Sequence, residues 1–185
     1  MKFAYADPPY PGQAHKYRNH PDYAGEVDHA RLIAQLEDGY PDGWALSSSG
    51  SALQSVLELC PRDIRVAVWH VTNSAPPGNR PGPWWWCWEP VIVRGGRFGG
   101  NGIKNVLACG APTGFAMQTI EGQKPVKFIR WMFGLLGALP DDELDDLFPG
   151  SGGVGREWRH YRDQPMLEHV VAPSNEARHI IQARQ

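Results

Sequence analysis

The sequence predicts a three-layer α/β sandwich with a mainly parallel central sheet, and three observations carry that expectation. Short apolar, β-branched or aromatic runs alternate with segments of helical period, giving six or seven strands and three to five helices. Two of the apolar runs end in motifs suited to the carboxyl edge of a strand: Asp7-Pro8-Pro9-Tyr10 near the start and a glycine-rich turn at residues 148–155. The chain has 185 residues, 42% of them hydrophobic, which suits one domain over 1–185 with a sizeable core.

The elements follow in order. Residues 1–6 read as a buried strand, stopped by Pro8 and Pro9, which cannot donate ladder hydrogen bonds. Residues 11–25 are polar and aromatic without a period, so they read as a loop over the strand end, carrying Lys16 and Arg18. Asp28 caps a helix through about Leu36. Gly43 to Leu46 is a second strand, ending in Ser47-Ser48-Ser49, whose hydroxyls either meet a ligand or cap the next helix, Ser51 to Cys60. Ile64 to Val71 is a β-branched strand.

A proline- and glycine-rich loop, 72–86, then carries Arg80 and Trp84-Trp85-Trp86. The tryptophans read either as packing at a hairpin, the favoured reading because a strand (Trp88 to Val93) follows, or as a stacking platform for bases. Glu89 is a polar interruption in that strand. The stretch 94–105, with Arg94 and Arg97, is either a loop touching phosphates or a hairpin connection to the strand Val106 to Cys109. Lys124-Pro125 opens an apolar helix through about Leu136, Leu144 to Leu147 is a strand, and a helix runs to about Arg162. The tail adds a strand (Leu167 to Val171) and a helix (Glu176 to Ala183).

Bulk properties narrow the function classes. The net charge is −2, so overall charge does not announce a nucleic-acid partner, and basic residues must cluster locally if one binds. Three cysteines, Cys60, Cys87 and Cys109, are widely spaced. They form neither a metal-ligand pattern nor a disulfide framework, which points to a reducing cytoplasm. No signal-like start and no run of membrane-spanning length is present.

Asp7-Pro8-Pro9-Tyr10 offers specific chemistry. A carboxylate and a proline carbonyl accept both hydrogens of one amino group, while the aromatic ring stacks on the flat system bearing it. Such acceptors favour a pyramidal nitrogen with a localised lone pair, and no strong base is needed because the proton becomes acidic once the nitrogen is alkylated. The plainer reading is a Pro-Pro turn after an edge strand. At the other end of the chain, Asp146-Leu147-Phe148-Pro149-Gly150-Ser151-Gly152 runs from strand through glycine turn into helix, where bare backbone and a helix N-terminus admit a cofactor closely. The spacing is not the dinucleotide fingerprint, and no phosphate-binding Gly-Lys-Ser/Thr occurs.

Together these motifs, with Lys124-Pro125, resemble the S-adenosylmethionine-dependent DNA amino methyltransferases that modify adenine N6 or cytosine N4. The order, tetrapeptide first and cofactor loop last, resembles the permuted β class. The resemblance implies a Rossmann-like methyltransferase fold, S-adenosylmethionine as cofactor and DNA as substrate. It implies roles by position. Asp7 and the Pro8 carbonyl accept the target amine's hydrogens, Pro9 completes the tetrapeptide, and Tyr10 stacks on the flipped base. Ala6, Asp7, Asp146, Phe148, Gly150, Ser151 and Gly152 surround the cofactor, bordered by Lys124 and Pro125. An aspartate in first place favours adenine.

Departures from the family pattern are the short chain, the lack of a long target-recognition insert before Lys124, and no clearly placed ribose-holding acid, Glu168 and Glu176 being the nearest candidates. Recognition then falls to Lys16, Arg18, Arg80, Trp84, Arg94 and Arg97 within the three loops, or to a second subunit of a homodimer. Cytosine-N4 transfer, RNA as substrate, and an inactive nucleic-acid-binding relative are the alternatives. A small stand-alone enzyme of this kind fits a phage or mobile-element origin.

Overall fold

The structure is a computed structural model that describes residues 1–18, 23, 25–75, 84–98, 102–112 and 123–164. Six strands form one mixed sheet: β1 (Lys2–Ala6), β2 (Gly43–Ser47), β3 (Arg65–Val71), β4 (Trp88–Gly95), β5 (Val106–Cys109) and β6 (Glu143–Asp146), in the order β5-β3-β4-β2-β1-β6. β1 lies parallel to both β2 and β6, and β5 parallel to β3, whereas β4 runs antiparallel between β2 and β3. Five strands therefore point their carboxyl ends to one edge, and β4 begins there.

Four α-helices among the described residues cover both faces. The period-2 alternation of the strands decides which residue meets which layer. Phe3, Tyr5, Ala45, Trp69, Val91 and Val93 face α3 (Val126–Leu136) and α4 (Gly153–Asp163). Ala4, Ala6, Trp44, Leu46 and Ile92 face α1 (His29–Gly39) and α2 (Leu53–Leu57). The near-continuous apolar runs of β1 and β2 are thus the signature of strands buried on both faces. Asp28 caps α1, its carboxylate accepting from the Arg31 N–H at 3.0 Å. Among the described residues no helix is long and apolar enough to cross a membrane.

The expected three layers and mainly parallel sheet are present, with local differences. The stretch after β4 is not a hairpin into β5, because β5 pairs with β3 instead and the chain must pass β3 to reach it. α2 is shorter than expected, since Ser49 and Ala52 first form a turn and Cys60 closes the far end through an i→i+3 bond to Leu57. Within the loop expected over 11–25, Ala14–Tyr17 forms a 3-10 turn. The tail strand and helix expected beyond residue 166, with Glu168 and Glu176, lie outside the described residues.

The edge of the sheet remote from the strand carboxyl ends is pinned by charge. Asp142 receives the N-terminal ammonium at 2.8 Å, two Arg97 nitrogens at 2.7 and 3.0 Å, and the Leu139 N–H at 2.8 Å. These contacts, the Arg97 hydrogen bonds foremost, hold the Asp142 carboxyl well below the usual range against the opposing effect of burial. Arg94 bridges Glu37 at 2.6 Å and Asp63 at 3.0 Å. Arg94 and Arg97, expected as nucleic-acid contacts, lie at the edge opposite Asp7, and both are engaged in ion pairs that tie loops to the sheet.

Candidate active site

The carboxyl end of β1 delivers Asp7, and β6 beside it delivers Asp146. Tyr5 and Asp146 are register partners, and the Leu147 N–H continues the ladder to the Tyr5 carbonyl at 2.9 Å. The tetrapeptide and the glycine turn, Asp7 and Asp146 being 139 positions apart in the 185-residue sequence, therefore sit on adjacent strand ends. Pro8 is buried and ends β1; Tyr10 is half-buried, and its carbonyl accepts from the Gln13 N–H at 2.8 Å, which turns the chain into the 3-10 segment.

Lys124 is the centre of the site. It precedes Pro125, which caps α3, and its side chain is buried. Its ammonium lies 3.1 Å from Asp7 Oδ2 and 3.0 Å from Glu89 Oε2, and donates to the Tyr10 hydroxyl at 3.2 Å. The rings of Tyr10, Trp69 and Phe128 surround it with centroids at 5.7, 5.7 and 5.8 Å. The Tyr10 hydroxyl in turn donates to Glu89 Oε2 at 2.7 Å. Four side chains from β1, the loop after it, β4 and the approach to α3 thus form one buried network.

Its electrostatics follow from burial with few charges to balance it. Burial alone would lower the Lys124 ammonium, but Asp7 and then Glu89 outweigh it and hold the lysine protonated. Burial raises the Asp7 carboxyl, with Lys124 opposing and Glu89 adding to the rise. Burial also raises Tyr10 and Tyr5 well above the ordinary phenol range, the Asp7 charge adding to both, so both hydroxyls stay neutral. Tyr5 lies beneath this network and shares a hydrogen bond with Ser47 Oγ at 2.8 Å.

The cofactor-type turn has its own signature. Asp146 is pushed up to about 6 by burial and by the Asp7 charge, despite accepting the Phe148 N–H at 3.3 Å. Gly150 and Gly152 both adopt left-handed φ, 45° and 70°, and a side chain built on Gly150 would meet nothing nearer than the Phe148 carbonyl at 3.9 Å. Bare backbone is therefore open to approach there. Gly152 also caps α4, and Ser151 presents its carbonyl to Arg156 at 2.6 Å. Phe148 packs toward the α1/α2 layer.

The structure brings together Ala6, Asp7, Pro8, Pro9, Tyr10, Lys124, Pro125, Asp146, Phe148, Gly150, Ser151 and Gly152 at one edge. Lys16 and Arg18 are exposed on the segment that follows Tyr10. Arg80 lies outside the described residues. Trp84, Trp85 and Trp86 are 65, 46 and 43% exposed, so the packing reading favoured for them is corrected: they are not core residues. Glu89, legible only as a polar interruption in an apolar strand, is a full member of the network. The three serines divide: Ser49 Oγ accepts from the Ala52 N–H at 3.2 Å as a cap, Ser47 pairs with Tyr5, and Ser48 Oγ is buried without a partner among the described residues.

No family model matches the chain, and no curated protein is significantly similar in sequence. Among solved structures, the chain is similar to the crystal structure of the M1.HpyAVI–SAM complex, with a TM-score of 0.57 and 15% identity over 88% of this chain and 78% of that one. The chain shares that protein's α/β fold.

Proposed function

We propose that this chain transfers a methyl group from S-adenosylmethionine to the exocyclic N6 amine of adenine in DNA, with the permuted motif order. The observation that carries the reading is the meeting of Asp7-Pro8-Pro9-Tyr10 and the Asp146–Gly152 turn on neighbouring strand ends. The fold shared with M1.HpyAVI, crystallised with SAM, supports it.

The residues present fit the cofactor. Asp7 and Asp146 are two carboxylates in a poorly solvated setting, Asp146 burdened further by the Asp7 charge and Asp7 by that of Glu89, so a cationic ligand relieves both. The open backbone at Gly150 admits a close approach. Ala6, Asp7, Asp146, Phe148, Gly150, Ser151 and Gly152 would hold it, with Lys124 and Pro125 bordering. When bound, S-adenosylmethionine supplies an already activated methyl group, which leaves positioning as the protein's task.

The chain's own residues do that positioning. Asp7 and the Pro8 carbonyl accept the two amine hydrogens, which localises the nitrogen lone pair. Lys124 engages one Asp7 oxygen and favours the ionised acceptor, while the remaining lone pairs stay usable. Tyr10, fixed by Glu89, presents its ring for stacking. The proton leaving the alkylated nitrogen passes to Asp7 or to water. The target base must leave its stack, at a cost of a few kcal/mol, partly offset by aromatic stacking.

The test is to incubate the protein with isotopically labelled S-adenosylmethionine and unmethylated DNA, digest to nucleosides and identify the labelled product by mass. N6-methyladenine is expected. N4-methylcytosine would overturn the base, label only in RNA would overturn the polymer, and no transfer to either would overturn the reading.

A further inference from the structure

We infer that Trp84, Trp85 and Trp86 form a stacking platform for unpaired bases beside the target nucleotide, and that the substrate is therefore single-stranded DNA. The inference rests on the proposed methyl transfer for its choice of polymer, but its physical basis is separate. Three consecutive tryptophans exposed by 65, 46 and 43% are an apolar surface that a soluble chain rarely leaves uncovered without a binding role.

The platform is built rather than loose. Trp84 meets Trp86 edge-on at 4.8 Å between centroids, and Trp86 meets Trp88 edge-on at 5.2 Å. Trp86 rests on Gly50, where even a methyl group would collide with the indole ring. Edge-on packing fixes each ring through its neighbour while leaving indole surface toward solvent.

Its position ties it to the site. Trp88 opens β4 and is followed by Glu89, whose carboxylate binds Lys124 and Tyr10. Gly50 follows the serines at the end of β2, the strand next to β1. A strand whose target base stacks on Tyr10 therefore runs from the site onto this surface.

Charge selects an unpaired strand over a duplex. Duplex binding draws heavily on phosphate contacts. Here the net charge is −2, and Arg65, Arg94 and Arg97 lie at the opposite edge of the sheet. Lys16, Arg18, Arg31 and Lys127, all exposed, are the candidate phosphate contacts among the described residues near the strand carboxyl ends, where the exposed Arg156 is engaged by the Ser151 carbonyl. Few cations with several exposed aromatic rings is the composition of a single-strand site, where stacking is sequence-tolerant.

The experiment measures binding of a fluorescent oligodeoxynucleotide, single-stranded or annealed, by anisotropy across a salt series, for the wild type, Trp84→Ala and Trp85→Ala. Methyl transfer to the same oligonucleotides and to free deoxyadenosine is measured alongside. Both tryptophans project outward, so the variants retain the fold, which circular dichroism checks. Each substitution is expected to weaken single-strand binding roughly 5- to 100-fold. The wild type should prefer the single strand, with a log–log salt slope of about −3 for four phosphate contacts. Transfer to deoxyadenosine, which has no flanking bases, should fall far less than transfer to the single-stranded oligonucleotide. Unaltered single-strand binding in both variants, or tighter wild-type binding to the duplex, would overturn the inference. If binding depends on the tryptophans while no substrate is methylated, the platform stands and the transfer reading fails.

Discussion

Asp146→Asn tests the electrostatics of the cofactor end of the site, because it separates what the carboxylate does for the empty protein from what it does for a ligand. Burial and the Asp7 charge raise Asp146 from 3.8 to about 6. A carboxyl whose folded value lies above its unfolded value favours folding in its protonated form. That contribution is fully present below about pH 4 and is lost as the pH rises through 6. Above pH 6 the ionised carboxylate therefore costs the folded state stability. Two pH units at 1.36 kcal/mol each give about 3 kcal/mol. Partial solvent access reduces this to roughly 1–2 kcal/mol. Asparagine is nearly isosteric and keeps an oxygen to accept the Phe148 N–H. The ligand-free variant should therefore melt roughly 2–8 °C higher than the wild type at pH 8. The gain should fall to about half near pH 5 and nearly vanish at pH 4. Affinity for S-adenosylmethionine should meanwhile drop, measured by calorimetry at pH 8, since the variant offers its cation no charge. Thermal melts across pH decide the matter. An unchanged or lower melting temperature at pH 8, or an equal gain at every pH, would refute the reasoning.

Asp7→Ala should cut turnover by at least about 100-fold, the scale of losing one preorganised acceptor, while cofactor affinity measured by calorimetry changes far less. Lys124→Met leaves the Asp7 and Glu89 carboxylates half-buried without their cation, a loss of roughly 3–5 kcal/mol; denaturant melts should show a smaller loss at pH 5 than at pH 8, as protonation relieves the carboxylates. Glu89→Gln keeps an acceptor for Tyr10 but removes a charge that raises Asp7, so the acid limb of kcat/KM should move to lower pH; an unmoved limb with a merely lower rate would reduce Glu89 to a packing role. Gly150→Val forces a β-branched residue into left-handed φ at an exposed turn and should weaken S-adenosylmethionine binding by an order of magnitude or more, while strain of about 1–2 kcal/mol lowers the melting temperature by roughly 2–8 °C.

What the sequence disclosed, and what it hid, divides along the range of the interactions involved. The strands of β1 and β2 are legible because burial on both faces leaves an uninterrupted apolar run, and Pro8 marks where β1 stops. Asp7 and the glycine turn are legible because local chemistry stamps each of them. Nothing local discloses that Glu89 meets Lys124: the two belong to different strands and helices, and only the antiparallel insertion of β4 between β2 and β3 puts them 3.0 Å apart. The placement of Arg94 and Arg97 is hidden for the same reason. A basic, glycine-rich stretch has the same composition whether it faces phosphates or Asp142, and the sheet's register, not composition, sends these two to the remote edge. The tryptophans mislead in the other direction. Their size argues for a core, but that core is already filled by Trp44, Trp69 and Phe128, leaving Trp84 to Trp86 at the surface.

The Lys124 network bears on why the site is charged at all. Burying an ammonium with two carboxylates usually gains little over packed apolar side chains, since desolvation consumes most of the Coulomb attraction. A purely structural solution at this position would be a long apolar residue among Tyr10, Trp69 and Phe128. Lysine instead opposes the burial that raises Asp7, holds its carboxylate at 3.1 Å and donates to Tyr10, so under the proposed reaction the acceptor for the amine and the ring for the base are both oriented before a substrate arrives. Reorganisation that solvent would otherwise undergo during reaction is completed on folding, which is the condition under which electrostatic preorganisation accelerates a displacement. On this argument a protein that only bound nucleic acid would have no use for Lys124 at its present place, and an apolar replacement would leave its DNA affinity intact while eliminating transfer.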